Sequence, residues 1–384
     1  MTAVQGAGPK PRKTSVWPHY DAAVTGLRNY WYPVTWSRAV QDKPVAVQLL
    51  DAPVMLVREQ GRVRALFDQC PHRGVPLSVG RQEFAGTWTC RYHGWTYDLA
   101  SGELKAAITD GPDSPICGKV RVQTFPVEER AGLIWVYVGE QPAPPVEADI
   151  PEEMLHPDSV VVGRITIQKG NWRYACENSF DDGHAKYLHR YGAMHSFFRE
   201  MPVWTRIRII TEPGGWITRD NQYVGWEEDF PGLGHFPRKD FWKRRMAGSR
   251  LAMRLPCISR NWFVGTTRYS FTWYVPTGAN HYRCLQFYVT RASGLEALRF
   301  KLWYQLYWRN VHHVQFNNQD VWMVELMPET APERLYRPDV SITAWRKLCE
   351  HARGVQPEQT LDAADALAAE LGDEVGEAVL AVER

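Results

Sequence analysis

The 384-residue chain reads as a two-part α+β protein in which a small all-β domain precedes a larger domain, an antiparallel sheet wrapped on a long helix. Three observations predict this. From Asn29 onward, short β-branched runs such as PVAVQLL and PVMLVRE alternate with Gly and Asp-Ala-Pro turns, the pattern of a small antiparallel sheet. The stretch QPAPPVEADIPEEM is rich in Pro and acid and has neither helical nor strand period, as a linker does. Beyond it, hairpin-like runs around Pro-Gly-Gly and Thr-Gly-Ala-Asn turns lead into about thirty residues of helical period, GLEALRFKLWYQLYWRNVHHVQFNNQDVWMVELM.

The elements follow in order. Residues 1–29 are a polar, Pro-containing arm that gains order near Trp17 and Tyr20. The β domain is expected over 30–140, the linker over 141–153 and the second domain over 154–354. Two domains suit the length, since single cores stop growing at about 250–300 residues. VVVGRITIQKG predicts a strand feeding a helix, NWRYACENSFDDGHAKYLHR. The tail 355–384 is acidic and Ala-rich, with apolar residues at helical spacing, and reads as a surface helix. There is no internal repeat.

A net charge of +2 and a pI near 8.1 argue neither for nucleic acid nor for a strongly acidic partner. Aromatic residues make up 12%, with seventeen Trp, enough for large apolar cores or an aromatic-lined pocket. No apolar run suits a signal peptide, and none reaches membrane-spanning length, so a soluble cytoplasmic protein is expected. The seven cysteines show no pairing pattern. Cys117, Cys176, Cys257, Cys284 and Cys349 read as reduced, mostly buried thiols.

The stretch from Cys70 to Trp95 carries the chemistry. Cys70 and His72 stand one residue apart, Cys90 and His93 two apart, with seventeen residues between the pairs. A Rieske [2Fe-2S] centre needs two loops of this kind, because two thiolates hold one iron and two imidazoles the other. Replacing two anionic ligands by neutral rings raises the potential to roughly −150 to +300 mV, against about −400 mV for plant-type all-Cys clusters. Cys2His2 zinc sites are the rival, but they pair Cys with Cys and His with His at their short spacings. Gly74 and Gly94 fit backbone passing close to a cluster, and Tyr92 and Trp95 fit a shielding ring. Tyr92 could also hydrogen-bond a sulfur.

His184 and His189 are a second pair. Iron that activates oxygen is held by two His and one carboxylate on one face, with open positions opposite. Five helical positions turn about 500°, which leaves the two rings about 140° apart, so the helix is expected to kink or unwind near Gly183. Asp181 lies three residues before His184, close to the same face, and Asp182 points away. His195, His235, His281, His312 and His313 read as packing or surface residues.

CPHRG and CRYHGW resemble the cluster signature of Rieske non-haem iron oxygenases. NYWYPV, the Pro-rich linker, FNNQD and ITAWRKL resemble in particular the carbazole 1,9a-dioxygenase type of terminal oxygenase, over roughly Gly26 to Gly354. The resemblance implies an N-terminal Rieske domain holding [2Fe-2S] through Cys70, His72, Cys90 and His93, followed by a helix-grip, START-like catalytic domain. It implies a mononuclear Fe(II) held by His184, His189 and an Asp from a late helix, with Asp320 the first candidate and Glu325 the second. Asp181 would link an iron-bound His to a cluster His of the neighbouring subunit, and Asn178 and Glu177 would sit near the iron. A homotrimer is implied, as are electrons from NAD(P)H through a ferredoxin or reductase, since no GxGxxG follows any strand. The implied reaction is dihydroxylation or monohydroxylation of an aromatic or polycyclic substrate with O2. Oxidative O- or N-demethylation and a pure electron-transfer role are the alternatives. The His184 to His189 spacing departs from the carbazole type toward the naphthalene-dioxygenase branch, and the pocket-wall segment Met194 to Asn261 differs, so substrate identity does not carry over.

Overall fold

A computed structural model of the chain describes residues 16–191, 203–226, 229–235, 250–262, 268–328 and 333–353. The 355–384 tail and His195 lie outside these residues, as does much of the Met194 to Asn261 segment.

The first domain is all-β. Strands Val45–Leu49, Ala52–Glu59, Arg62–Phe67 and Thr124–Phe125 form one antiparallel sheet, and Tyr30–Trp36 pairs with Leu133–Val138, which in turn pairs with Val127–Arg130. A third sheet, Thr87–Thr89, Trp95–Asp98 and Leu104–Ala107, carries the second Cys-His loop. Beneath the two loops lies a separate small core of Met55, Val57, Leu66, Leu77, Trp88, Tyr97, Leu99 and Leu104, into which Cys70 and Cys90 project. That placement gives the loops a rigid floor.

The second domain is built on a seven-stranded antiparallel sheet. Its strand order is Ser159–Lys169, His281–Arg291, Tyr269–Gly278, Ile258–Trp262, Arg250–Arg254, Trp216–Trp226 and Val203–Glu212. The two expected hairpins are present, turning at Pro213-Gly-Gly and at Ala279-Asn280. Strand alternation gives the sheet two different faces. Phe271, Trp273 and Phe287 point to the first domain, where Trp135 meets Trp273 edge-on at 5.7 Å and Trp36 meets Phe287 at 5.1 Å. The opposite face, with Tyr274, Cys284, Gln286 and Tyr288, receives the helices.

One continuous core therefore runs through both domains and includes Val146, Ile150 and Met154 of the connecting stretch. Trp135 and Trp273 are fully buried in it, so truncating either to Ala removes about 3–5 kcal/mol of stability.

The expected long helix spans Gly294 to Leu326, but it is α-helical only at its ends, Gly294–Trp303 and Asn317–Leu326. Its middle, Tyr304–Phe316, is a π-helix. It runs beside the edge strand Ser159–Lys169, tied to it by Arg164 on the carbonyl of His313 at 3.1 Å and by Lys169 on Glu325 at 3.0 Å.

Within the described part of the arm, Pro18–Ala22 forms a short helix. Glu350 accepts hydrogen bonds from the amides of His19 and Tyr20 at that helix's exposed start.

Candidate metal centres

The first centre is two near-identical turns. The amide of Cys70 donates to the carbonyl of Val75, and that of Cys90 to the carbonyl of Trp95, both at 2.8 Å. Gly74 and Gly94 donate back to the carbonyls of Cys70 and Cys90 at 2.8 and 3.1 Å. Both glycines sit at positive φ, 75° and 68°, where an L side chain is strained. A Cβ on Gly94 would also lie 2.8 Å from Ile108. Asp68 secures the first turn by accepting the amide and hydroxyl of Ser78, each at 2.6 Å.

These turns sink both thiols and leave the rings outside. Cys70 and Cys90 are buried, while the His72 and His93 rings meet at 4.6 Å. Trp95 stacks on His72 at 4.6 Å, and Tyr92 covers His93 at 3.8 Å. The Nδ1 of His93 is buried with no hydrogen-bond partner, a donor atom that a metal would satisfy. Burial pushes the Cys90 thiol up, so thiolate formation there is to be expected only with a metal to stabilise the charge. Two thiols below and two imidazoles above fit a mixed-ligand [2Fe-2S] cluster.

The sulfur's hydroxyl partner is not Tyr92, which is half exposed over His93. It is Tyr97, whose OH lies 3.2 Å from the Cys70 Sγ. Its place on the strand leaving the second turn points it into the core, a signal that the alternation of Trp95, Thr96 and Tyr97 carries.

The second centre forms where the helix after the linker breaks. Trp172–Phe180 is capped at its start by Asn171, whose Oδ1 accepts the amide of Arg173 at 3.0 Å. Asp181 then turns extended, at φ −72° and ψ 137°, and a second short helix, Gly183–Tyr187, begins. This break brings His184 and His189 to one side with ring centroids 5.4 Å apart. Across from them the long helix resumes α geometry, and Asp320 in its first turn comes 3.3 Å from His184 Nε2 and 3.0 Å from His189 Nε2. The three ligand atoms lie within 4.8 Å of one another.

Each ring's other nitrogen is held. His184 Nδ1 is 3.0 Å from Asp181 Oδ2, and His189 Nδ1 is 2.8 Å from Gln319 Oε1. Both oxygens accept a hydrogen bond from Nδ1–H, which turns each Nε2 toward the gap, the arrangement that metal-ligating imidazoles use. Phe316 stacks on His189 at 3.7 Å, and Asn178 donates to Asp320 Oδ1 at 3.2 Å. Two imidazoles and one carboxylate fit a non-haem Fe(II).

The charges agree with this. Burial opposes a charged His184, but hydrogen bonds to Asp181 and Asp320 outweigh it and push the ring up to about 9. Asp181 is drawn down to about 2 against the cost of burial by its bonds to His184 and the amide of Gly183. Both rings beside Asp320 likewise hold it well below the usual carboxylate range, again against burial. Without an ion the site keeps a proton between the two acids, and a cation would replace it.

Other candidates fall elsewhere. Glu177 is next to Asn178 but about 100° round the helix, so its carboxylate turns away to Tyr20 and to Arg346, the latter at 2.6 Å. Glu325 is at the surface on Lys169. Asp182 is buried against Arg219 at 3.6 Å and accepts from Asn221 at 2.6 Å. His313 is buried and bonded to the hydroxyl of Tyr304 at 3.0 Å, and burial drives it down to about 2. Gln319 and Phe316 were not anticipated as site residues. Gln319 stands directly before Asp320 in FNNQD, yet nothing in a single sequence sets its side chain toward a histidine 130 residues away.

Both parts of the chain match known families. The Rieske [2Fe-2S] domain family matches residues 30–126, and the family described as homotrimeric ring hydroxylase matches 137–198 and 226–356. The chain is 30% identical, over 90% of its length and 96% of the relative's, to the terminal oxygenase component of carbazole 1,9a-dioxygenase from Metapseudomonas resinovorans. The corresponding oxygenase of Nocardioides aromaticivorans IC177 superposes with a TM-score of 0.79 at 28% identity, covering 88% of this chain and 98% of that one. A reduced complex of oxygenase and ferredoxin from carbazole 1,9a-dioxygenase gives a TM-score of 0.78 at 28% identity, covering 89% and 94%. Among the described residues no helix is long and apolar enough to cross a membrane. With both domains matched and nearly the full length aligned, the chain belongs to the Rieske ring-hydroxylating oxygenases.

Proposed function

We propose that this protein is the terminal oxygenase of a multicomponent system that hydroxylates an aromatic or polycyclic substrate with O2, using electrons from NAD(P)H delivered by a ferredoxin or reductase. Cys70, His72, Cys90 and His93 would hold the [2Fe-2S] cluster in a domain spanning 30–140. His184, His189 and Asp320 would hold Fe(II) in a catalytic domain spanning 154–354. Bound there, the cluster would supply single electrons and the iron would supply dioxygen activation.

The remaining roles belong to the chain itself. Asp181 keeps the proton on His184 Nδ1, Gln319 does the same for His189, and Asn178 and Phe316 fix the orientation of Asp320 and His189. In a homotrimer, the exposed loop carrying His72 on one subunit would meet Asp181 on the next, a short path for the electron. The five cysteines outside the cluster, none of them in a disulfide, support a reducing, cytoplasmic setting.

The observation that carries the reading is the convergence of His184, His189 and Asp320 with both outer ring nitrogens already engaged. Dioxygen uptake with a surrogate ferredoxin and reductase, across a panel of arenes, steroids and methoxy-aromatics, tests it. Substrate-dependent uptake with hydroxylated product is expected. Cluster reduction without product from any of the panel, or demethylation alone, would contradict it.

A further inference from the structure

Along the long helix, aromatic rings stack continuously away from the iron site. His189 lies on Phe316 at 3.7 Å, Phe316 on His312 at 5.3 Å, His312 on Trp308 at 5.6 Å and Trp308 on Trp303 at 5.2 Å, every pair within 20° of parallel. The π-helix makes this alignment. Positions 303, 308, 312 and 316 recur every four or five residues, which drifts off one face at 3.6 residues per turn but stays on it where i→i+5 bonding widens the turn.

Resting on the iron reading above, we propose that Trp308 and Tyr307 form an escape route for oxidising equivalents, protecting the iron site when dioxygen is activated without a substrate to attack. Tryptophan and tyrosine are the aromatic side chains that lose an electron most readily. Phenylalanine and neutral imidazole resist oxidation, so Phe316 and His312 serve only as the packed medium between. In the first step Trp308 would give one electron to an oxidised iron held by His184, His189 and Asp320 and become a radical cation. Tyr307, 6.4 Å away, then returns an electron to Trp308 and gives its phenolic proton to water. The neutral tyrosyl radical is left at the surface, since Tyr307 is 53% exposed. A small thiol in solution ends the sequence by donating a hydrogen atom to it, leaving a thiyl radical.

Exit through Trp303 is disfavoured by charge. The guanidinium of Arg268 lies 5.0 Å from the Trp303 ring centre, and an attraction to a neutral ring becomes repulsion once that ring is positive.

The test uses the full chain with both metal centres loaded, reduced and mixed with dioxygen in the absence of any aromatic compound. Freeze-quench electron paramagnetic resonance and peptide mass mapping are the readouts. Wild type is expected to show a transient tyrosyl signal and oxidation products at Tyr307. Tyr307→Phe and Trp308→Phe lose both, keep iron content and substrate-dependent hydroxylation, and inactivate several-fold faster per dioxygen consumed. An equal radical signal in Tyr307→Phe, or dioxygen consumption by wild type with no protein radical and no Tyr307 oxidation, overturns the route while leaving the iron reading intact. Wild type that binds no mononuclear iron overturns both.

Discussion

Oδ2 of Asp181 holds His184 twice, accepting from the ring Nδ1 at 3.0 Å and from the backbone amide at 2.9 Å. The grip fixes the imidazole's tautomer, and it exists because the chain turns extended at Asp181 between two helices. Replacing Asp181 by Ala is expected to leave the cluster bound and most of the iron in place, while product formation coupled to electron uptake falls about 10–100-fold. Cluster reoxidation by single-turnover absorbance checks it. Normal reoxidation and turnover in the variant would remove Asp181 from the electron path.

Gln319 makes the equivalent contact on His189. Gln319→Leu keeps the volume and removes the acceptor, so iron affinity is expected to drop about 10–100-fold with the [2Fe-2S] spectrum unchanged. Metal analysis after dialysis against a chelator measures this. Unaltered retention would mean that packing against Phe316 alone orients the ring.

With Cys70 as a cluster ligand, the hydroxyl of Tyr97, 3.2 Å from its Sγ, would stabilise negative charge on the sulfur and so favour the reduced cluster. Tyr97→Phe is expected to lower the midpoint potential without loss of cluster, read in a redox titration. Tyr92→Phe should leave it unchanged. The reverse order would show that Tyr92 is the working donor after all.

Metal binding at the second centre should depend on pH in a definite direction. Against burial, Asp181 and Asp320 raise His184 to about 9, so below that pH an incoming cation displaces a proton. Affinity is expected to rise about tenfold per pH unit between neutrality and pH 9 and then level off, with about one proton released per ion. Calorimetry in buffers of different ionisation enthalpy counts that proton. A flat profile over this range would show that His184 does not hold it.

How much of this could be read from the sequence depends on how local the constraint is. The two Cys-His turns were legible because each is closed by bonds within six residues, from Cys70 to Val75 and from Cys90 to Trp95. The break near Gly183 was legible too, since a regular helix cannot turn His184 and His189 to one side. Periodicity found the long helix but not its π segment, although the spacing of the aromatic residues at 303, 308, 312 and 316 suits the wider turn better than the α period. Tyr97 was passed over for Tyr92, where strand alternation rather than nearness to the cysteine decides which ring points inward. Glu177 was grouped with Asn178 by adjacency, although neighbours on a helix diverge, and Arg346, 169 residues later, claims its carboxylate. Asp320 itself rested on resemblance, because its meeting with His184 is set by the sheet and helix as a whole.

The most direct test of two unlike iron centres in one chain is iron stoichiometry, measured with Mössbauer spectroscopy on wild type and Asp320→Ala. The account predicts about three irons per chain in wild type, falling to two in the variant with the [2Fe-2S] signature intact. Two irons in wild type, all in the cluster and unchanged by loss of Asp320, would contradict it.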